Sequence, residues 1–269
     1  MITSRLDLDE LWHLYSSGKQ TYVQLAERFC CSTKTIQRQL DTVQLIQRKS
    51  FSCIAVVIMD TTYFGRGWGV MVFKNSLDGV VLYKQYVRYE TNALYLAGIS
   101  EISRRGIDIQ GIVCDGRQGL FGLFGDIPIQ MCQFHQIQIV VRYLTRKPKT
   151  QAALELKKLT LKLTKQAKEE FINSLNDWYL RWIDYFNERS TSPSTGKTYY
   201  THKRLRSAYL SLKRHLPYLF VFENYPDLNI PNTTNSLDGQ FADLKNKLRN
   251  HNGLSKVRKM KLIDGFFKA

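Results

Sequence analysis

The feature that most constrains this chain is a change of hydrophobic period along it. Apolar residues recur at helical spacing as far as about residue 44, switch to strand-type runs between Arg48 and Phe51, and return to helical spacing past Gln136. The strand-rich middle opens with Cys53 to Met59, a continuous apolar run rich in Val and Ile, as expected of a strand buried on both faces. Gly67 to Phe73 and Gly79 to Val87 follow, with Asp78-Gly79 as a turn signal, and the three together predict an antiparallel meander. Leu94, Leu96, Ala97, Ile99 and Ile102 then predict a helix ending near Gly106. Ile107 to Cys114 reads as a buried strand, a short helix is expected after it, and Pro128 to Gln133 reads as a last strand. A meander that continues through helical crossovers into parallel strands is a mixed sheet covered by helices, an α/β fold of the ribonuclease H type.

Helices flank this core on both sides. Leu8, Leu11, Trp12 and Tyr15 predict one helix stopping before Gly18, and Val23, Leu25, Ala26 and Phe29 a second. Ser32 is placed to cap a third that carries Ile36 and Leu40. That spacing is of helix-turn-helix type, so residues 1–46 are expected to form a small DNA-binding domain. On its third helix Thr33, Lys34, Gln37 and Arg38 lie off the Ile36/Leu40 face, where a recognition helix meets bases and phosphates. The competing reading is a helical subdomain with a solvated polar face.

From Gln136 to about Tyr218 strand signals vanish. Leu156, Leu159 and Leu163 predict one helix, the stripe from Phe171 through Trp178 to Tyr185 a single longer one, and Tyr200 to His215 another after a polar loop at Ser190 to Thr198. These give an all-helical insertion over about 138–228 within a second domain, 50–269. Aromatic residues at helical spacing are read as its core. Asn235 to Ala269 reads as a terminal helix rich in Lys and Arg, among them Lys245, Lys247 and Arg249.

Charge narrows the partner. Thirty-nine Lys plus Arg against 23 Asp plus Glu leave +16, with an isoelectric point near 9.6, which points to a polyanion and first to nucleic acid. The longest apolar run has seven residues, far short of the ~20 that span a bilayer, so no membrane role is expected. Five cysteines, odd in number and scattered among apolar neighbours, do not make a disulfide framework and predict a reducing compartment.

Two acids stand in matching contexts: Asp60 closes the first apolar strand and Asp115 the fourth. Carboxylates at the ends of adjacent strands point into one cleft and repel each other unless a divalent cation, Mg²⁺ by preference, neutralises them. Each alone is also an ordinary turn or cap residue. Asp238, on or just before the start of the terminal basic helix, is the candidate third acid, although a helix N-terminus favours an acid whatever its function. Cys132 and His135 form a single CxxH pair. Zinc would need two more ligands, so His135 is read as packing at the cleft edge or touching a phosphate or a water near the metals.

The strand-ending MDTTYFG, the VCDGRQGL string followed by CQFH, and the TTNSLDGQFADLK tail together resemble the Mutator-like group of prokaryotic insertion-sequence transposases over about residues 50 to 269. That resemblance implies a DDE acid triad on a ribonuclease H-like fold, with Asp60, Asp115 and Asp238 as ligands of two Mg²⁺ or Mn²⁺ ions and Cys132 and His135 as the accompanying CxxH. The third acid is usually Glu in that group and is Asp here. The resemblance further implies double-stranded DNA as partner, both element ends and target, a homodimer or larger assembly on DNA, and a place in the prokaryotic cytoplasm at the nucleoid.

Two metal ions about 4 Å apart, held by carboxylates, suit successive in-line displacements at phosphorus: cleavage by water, then attack by the freed 3′-OH on target DNA. Lysines and arginines of the tail and insertion would hold the backbone while residues 1–46 read sequence. Two other classes share many of these features. A regulator using only the helix-turn-helix, with a decayed catalytic domain, would carry the same charge. A ribonuclease H-like nuclease acting on hybrids or junctions would cleave without strand transfer.

Overall fold

The computed structural model describes residues 6–45, 52–251 and 253–267. Three short helices come first: α1 (Leu8–Ser16), α2 (Tyr22–Arg28) and α3 (Thr33–Thr42). Each start is capped by a side chain, with Asp7 accepting from Asp9 and Glu10, Thr21 closing a capping box with Gln24, and Ser32 accepting from the Thr35 amide.

The middle of the chain is a five-stranded sheet built from β1 (Ile54–Tyr63), β2 (Gly69–Asn75), β3 (Val81–Val87), β4 (Asp108–Cys114) and β5 (Ile129–Met131), in the spatial order β3-β2-β1-β4-β5. β1, β2 and β3 pair antiparallel, while β1 with β4 and β4 with β5 pair parallel. That order and pairing is the ribonuclease H-like arrangement. Helix α4 (Asn92–Arg104) makes the crossover to β4, capped by the Thr91 hydroxyl. No helix forms between β4 and β5, contrary to the sequence expectation: residues 115–128 run as turns. Glycines at 116, 119, 122 and 125 break that segment, and Gly119 and Gly125 sit at positive φ, where a helix cannot continue.

Beyond β5 lie α5 (Gln133–Leu144), α6 (Gln151–Thr160), α7 (Lys168–Arg181), α8 (Ile183–Asn187), a hairpin of β6 (Arg189–Thr191) and β7 (Thr198–Tyr200), then α9 (Lys203–Leu219) and α10 (Val221–Asn224). Sequence reading missed the hairpin, since two polar three-residue strands have no periodicity to read. Its loop turns on Gly196 at φ +66°. The helix expected from Phe171 to Tyr185 is interrupted at Trp182, whose φ of −110° and ψ of 17° leave the helical region. A 3₁₀ turn at Pro226–Leu228 leads to α11 (Asn235–Asn250) and α12 (Lys256–Phe267), two helices where one was expected. They are separated by a turn containing Gly253 at φ +77°. No helix among the described residues is long and apolar enough to cross a membrane.

The sheet is buried on both faces, and the period-2 alternation of β1 assigns them. Ala55, Val57 and Met59 pack with Phe73, Tyr95 and Ile102 under α4, whereas Val56 and Ile58 face Leu237, Phe241 and Leu244 of α11 and Leu262 and Ile263 of α12. Leu11, Leu25, Ile36 and Leu40 of the first three helices join this second cluster without a break. Asp41 takes both arms of the Arg258 guanidinium, and the His251 ring meets the Tyr15 carbonyl at 3.1 Å. A third cluster, centred on Leu156, Phe171, Trp178, Tyr209 and Leu212, is the core of the helices between β5 and α11. The aromatic stripe is therefore core there, as expected.

Candidate metal centre

Strand parity puts the acids on one side of the sheet. Asp60 continues the series Val56, Ile58 on the face that meets α11. Contrary to expectation it does not end β1, because antiparallel pairing with β2 carries the strand on to Tyr63 opposite Gly69. What ends near Asp60 is the parallel ladder with β4, whose last pair is Ile58 and Val113. Asp115, just past β4, is the next position of the Val113 parity, so the sheet opens between two carboxylates on neighbouring strands.

α11 brings the third. Its start is fixed from two sides: Asn232 exchanges bonds with Gln133 at the start of α5, and Lys74 Nζ of β2 reaches the Ser236 carbonyl at 3.5 Å. Fully buried Thr234 donates its N–H to Cys132 Sγ at 3.3 Å, and its hydroxyl donates to Asp238 Oδ2 at 3.0 Å. The result is a cluster in which Asp60, His135 and Asp238 each offer one ligand atom, all within 4.8 Å of one another. Asp115 stands next to this trio. Asp243, the nearby alternative acid, instead pairs with Lys247 at 3.4 Å one turn along α11.

The electrostatics are those of an acid cluster short of positive charge. Burial pushes the Asp60 carboxyl up to about 7, with Asp238 and Asp115 adding to the rise while the Thr61 N–H at 2.7 Å and His135 oppose it. Asp115 is raised by burial and then by Glu90, against the Arg117 N–H and His135. His135 is pushed up to about 9 by the Cys132 thiol beside it, and further by Asp60 and Asp238, although burial works the other way. Burial raises the Cys132 thiol, but His135 and Thr234 outweigh it and hold the group below its usual value. His135 Nδ1 is buried and has no hydrogen-bond partner. The carboxylates of Asp60 and Asp238, with Asp115 nearby, plus an imidazole with an orphaned nitrogen fit a divalent cation.

Three of these features escaped sequence reading. His135 stands within 4.8 Å of Asp60 and Asp238, closer to the acids than a place at the cleft edge implies, because the start of α5 is tied to Asn232 and Thr234 just before α11, which the i, i+3 spacing of CQFH only hints at. Glu90 lies behind Asp115: Tyr95 donates to it, Tyr95 meets the Thr61 hydroxyl at 3.2 Å, and Arg117 lies 3.8 Å from it while its own N–H serves Asp115 Oδ1. Thr234 ties the cysteine to Asp238. Nothing in the string around Glu90 marks it, and Thr234, although it stands in the TTNSLDGQFADLK string, carries no local sign that it bonds to Cys132 and Asp238.

The other sequence candidates lie apart from the acids. Thr33, Lys34 and Arg38 are exposed on α3 and Gln37 is half-buried beside them, while Ile36 and Leu40 face the core. On α11 Arg249 is exposed and Lys245 half-buried; Lys247 pairs with Asp243 and lies over the Phe266 ring at 4.9 Å.

No protein-family model and no curated protein matches the chain. Among solved structures it is similar to the Drosophila P element transposase strand transfer complex, at 12% identity over 98% of this chain and 92% of that one, with a TM-score of 0.46. It is also similar to a chain of the simian T-cell lymphotropic virus intasome in complex with the PP2A regulatory subunit B56 gamma, at 12% identity over 74% and 72% of the two chains and a TM-score of 0.26.

Proposed function

We propose that this chain is a DDE-type DNA transposase of the Mutator-like group, which binds element-end DNA and catalyses metal-dependent cleavage and strand transfer. The observation that carries this reading is the grouping of Asp60, His135 and Asp238 on one face of a ribonuclease H-like sheet, with Asp115, just past β4, near enough for its charge to raise the Asp60 carboxyl. The carboxylates of Asp60, Asp115 and Asp238 would hold two Mg²⁺ or Mn²⁺ ions. Such ions, when bound, activate a water or a 3′-OH and neutralise charge on the leaving 3′ oxygen in an in-line displacement.

The protein's own groups have defined parts. Thr234 and the Thr61 N–H fix the rotamers of Asp238 and Asp60, so these carboxylates meet the reacting phosphate preorganised. His135, pushed up to about 9 by the Cys132 thiol and further by Asp60 and Asp238, offsets the charge of the two acids, and it would have to give up its proton to serve as a ligand. Residues 1–46 form the reading domain, with Thr33, Lys34, Gln37 and Arg38 toward the bases, and residues 50–269 the catalytic domain, with its helical insertion over about 138–228. Lys245, Lys247 and Arg249 are assigned to the DNA backbone, Lys247 after releasing Asp243.

The test is incubation of the full chain with DNA flanking its own gene and Mg²⁺ or Mn²⁺, with analysis for nicks bearing 3′-OH ends. Nicking at the element ends is expected. Nicking of hybrids or junctions in preference to end DNA would point to a nuclease, and binding without any nicking to a regulator.

A further inference from the structure

Two concave surfaces, one between residues 116–122 and the helical insertion and one within the insertion, meet at one residue. The first, a cavity of about 570 Å³, starts at Gly116, the residue after Asp115, and is walled by Phe121 stacked on Tyr218 with ring centroids 4.1 Å apart and planes 9° from parallel. The second, about 470 Å³, contains Tyr185 stacked on His202 at 3.6 Å and Tyr199 beneath the Lys203 ammonium at 4.3 Å. Tyr143, 38% exposed, lines both, so the two cavities adjoin at it, the first beginning next to Asp115 and the second lying beyond Tyr143; together they are taken as one groove.

The lining is one-signed. Arg142 and Arg214 edge the first cavity, Lys147, Lys149, Lys203 and Arg204 the second, and neither contains a carboxylate. None of these six makes an ion pair among the described residues. A further cavity between α6 and α7 shows that this bias is not general, since Glu155 and Asp177 line it alongside its lysines and Arg181.

Uncompensated cations along a groove whose walls are aromatic faces suit a polyanion that can also present flat rings. Duplex DNA offers phosphates and base edges but keeps its ring faces stacked inside, and an acidic peptide offers charge with few rings. We propose that this groove is the track for an unpaired DNA strand running from the acid cluster across the insertion, with a base seated against the Phe121/Tyr218 wall and the next passing Tyr143 to the Tyr185/His202 wall. The direction of the track rests on the acid cluster being a strand-cleaving centre. The affinity for unpaired DNA does not.

Photo-cross-linking tests it on the full chain, with a single-stranded oligonucleotide of roughly 12 nucleotides carrying 5-iodouracil, a length within the ~4–16 spanned by known single-strand sites. Adducts are expected on Phe121, Tyr143, Tyr199 or Tyr218, competed by unlabelled single strand and not by the same sequence as duplex. Tyr143→Ala should weaken single-strand binding about tenfold, the loss of one stacked base, while Tyr143→Phe retains it and duplex binding is unchanged in both. Because Tyr143 is exposed, an unchanged thermal melt is expected; the double variant Lys147→Gln, Lys149→Gln gives an independent measure and should weaken single-strand binding without touching an aromatic wall. Adducts confined to α3 or α11, or equal losses for duplex and single strand, would overturn the proposal. DNA cleavage without groove adducts overturns this proposal alone, whereas groove adducts without any cleavage uphold it and overturn the transposase reading.

Discussion

The Thr234 hydroxyl donates to Asp238 Oδ2 at 3.0 Å, so the residue just before α11 aims the acid in that helix's first turn. Asp243, five residues on and roughly 140° around the helix, is ion-paired with Lys247 instead. Asp238→Asn is therefore expected to abolish cleavage and Asp243→Asn to leave it within about twofold, since Asp243 is engaged with a half-buried Lys247 away from the acids. Asp238→Glu should keep or raise activity, because it restores the longer reach usual in the resembled group. End-DNA nicking assays on the three variants check this, and an active Asp238→Asn beside an inactive Asp243→Asn would reverse the assignment.

Asp60 sets a pH dependence for the metal-free fold. Its carboxyl is raised from 3.8 to about 7, so between those values the folded state holds more protons than the unfolded one, and stability falls as pH rises through that window. The loss is on the order of 2–4 kcal/mol for a shift of this size. Asp60→Asn should remove the part of that slope below about pH 7, leaving the part that His135 contributes between about 6.5 and 9, and melt higher than the wild type at pH 8 without metal. Urea denaturation at pH 5 and pH 8 measures it. A wild-type slope retained in Asp60→Asn would place the titrating group elsewhere.

Cation binding must displace protons from this site. With His135 up to about 9 and Asp60 up to about 7, Mn²⁺ affinity should rise with pH between 6 and 9, with net proton release. Calorimetry in buffers of different ionisation enthalpy reads the proton count directly. An imidazole among carboxylates also favours Mn²⁺ over Mg²⁺, so His135→Ala should narrow the Mn²⁺/Mg²⁺ preference. A pH-independent affinity would exclude both groups from the site.

Sequence reading on α3 is tested by substitution rather than truncation, since Leu11, Leu25, Ile36 and Leu40 share one core with α11 and α12 and removing them would unroof Leu262 and Ile263. Gln37→Ala and Arg38→Ala should each cost about 1–3 kcal/mol of preference for element ends over random DNA. Binding to random DNA should change little. Competition binding at fixed salt provides the comparison, and unchanged end preference in both variants would move base readout to another surface.

The sheet was legible in the sequence because its strands are long or nearly continuous apolar runs: Cys53 to Met59 and Ile107 to Cys114 announce themselves, and their parity carries Asp60 and Asp115 to one face. Elements held only by tertiary context were not. Nothing local ends the helix at Trp182, and the Arg189–Thr191 strand is polar and three residues long. The same holds at the site. The carboxylates were readable from sheet parity and a helix start, although Asp60 does not end its strand, but His135 joins them only because Gln133 and Cys132 at the start of α5 are tied to Asn232 and Thr234 just before α11, and Glu90 comes near Asp115 only through the fold of the β3–α4 turn against Arg117.

Strand transfer tests the central claim most directly. Pre-cut end DNA with a free 3′-OH, a supercoiled target plasmid and Mn²⁺ are mixed with wild type and with Asp60→Asn, Asp115→Asn and Asp238→Asn, each first shown to bind the end DNA as the wild type does. The account predicts joined product from the wild type and none from the three variants. Joined product from any of the three, or none from a wild type that binds both Mn²⁺ and end DNA, would contradict it.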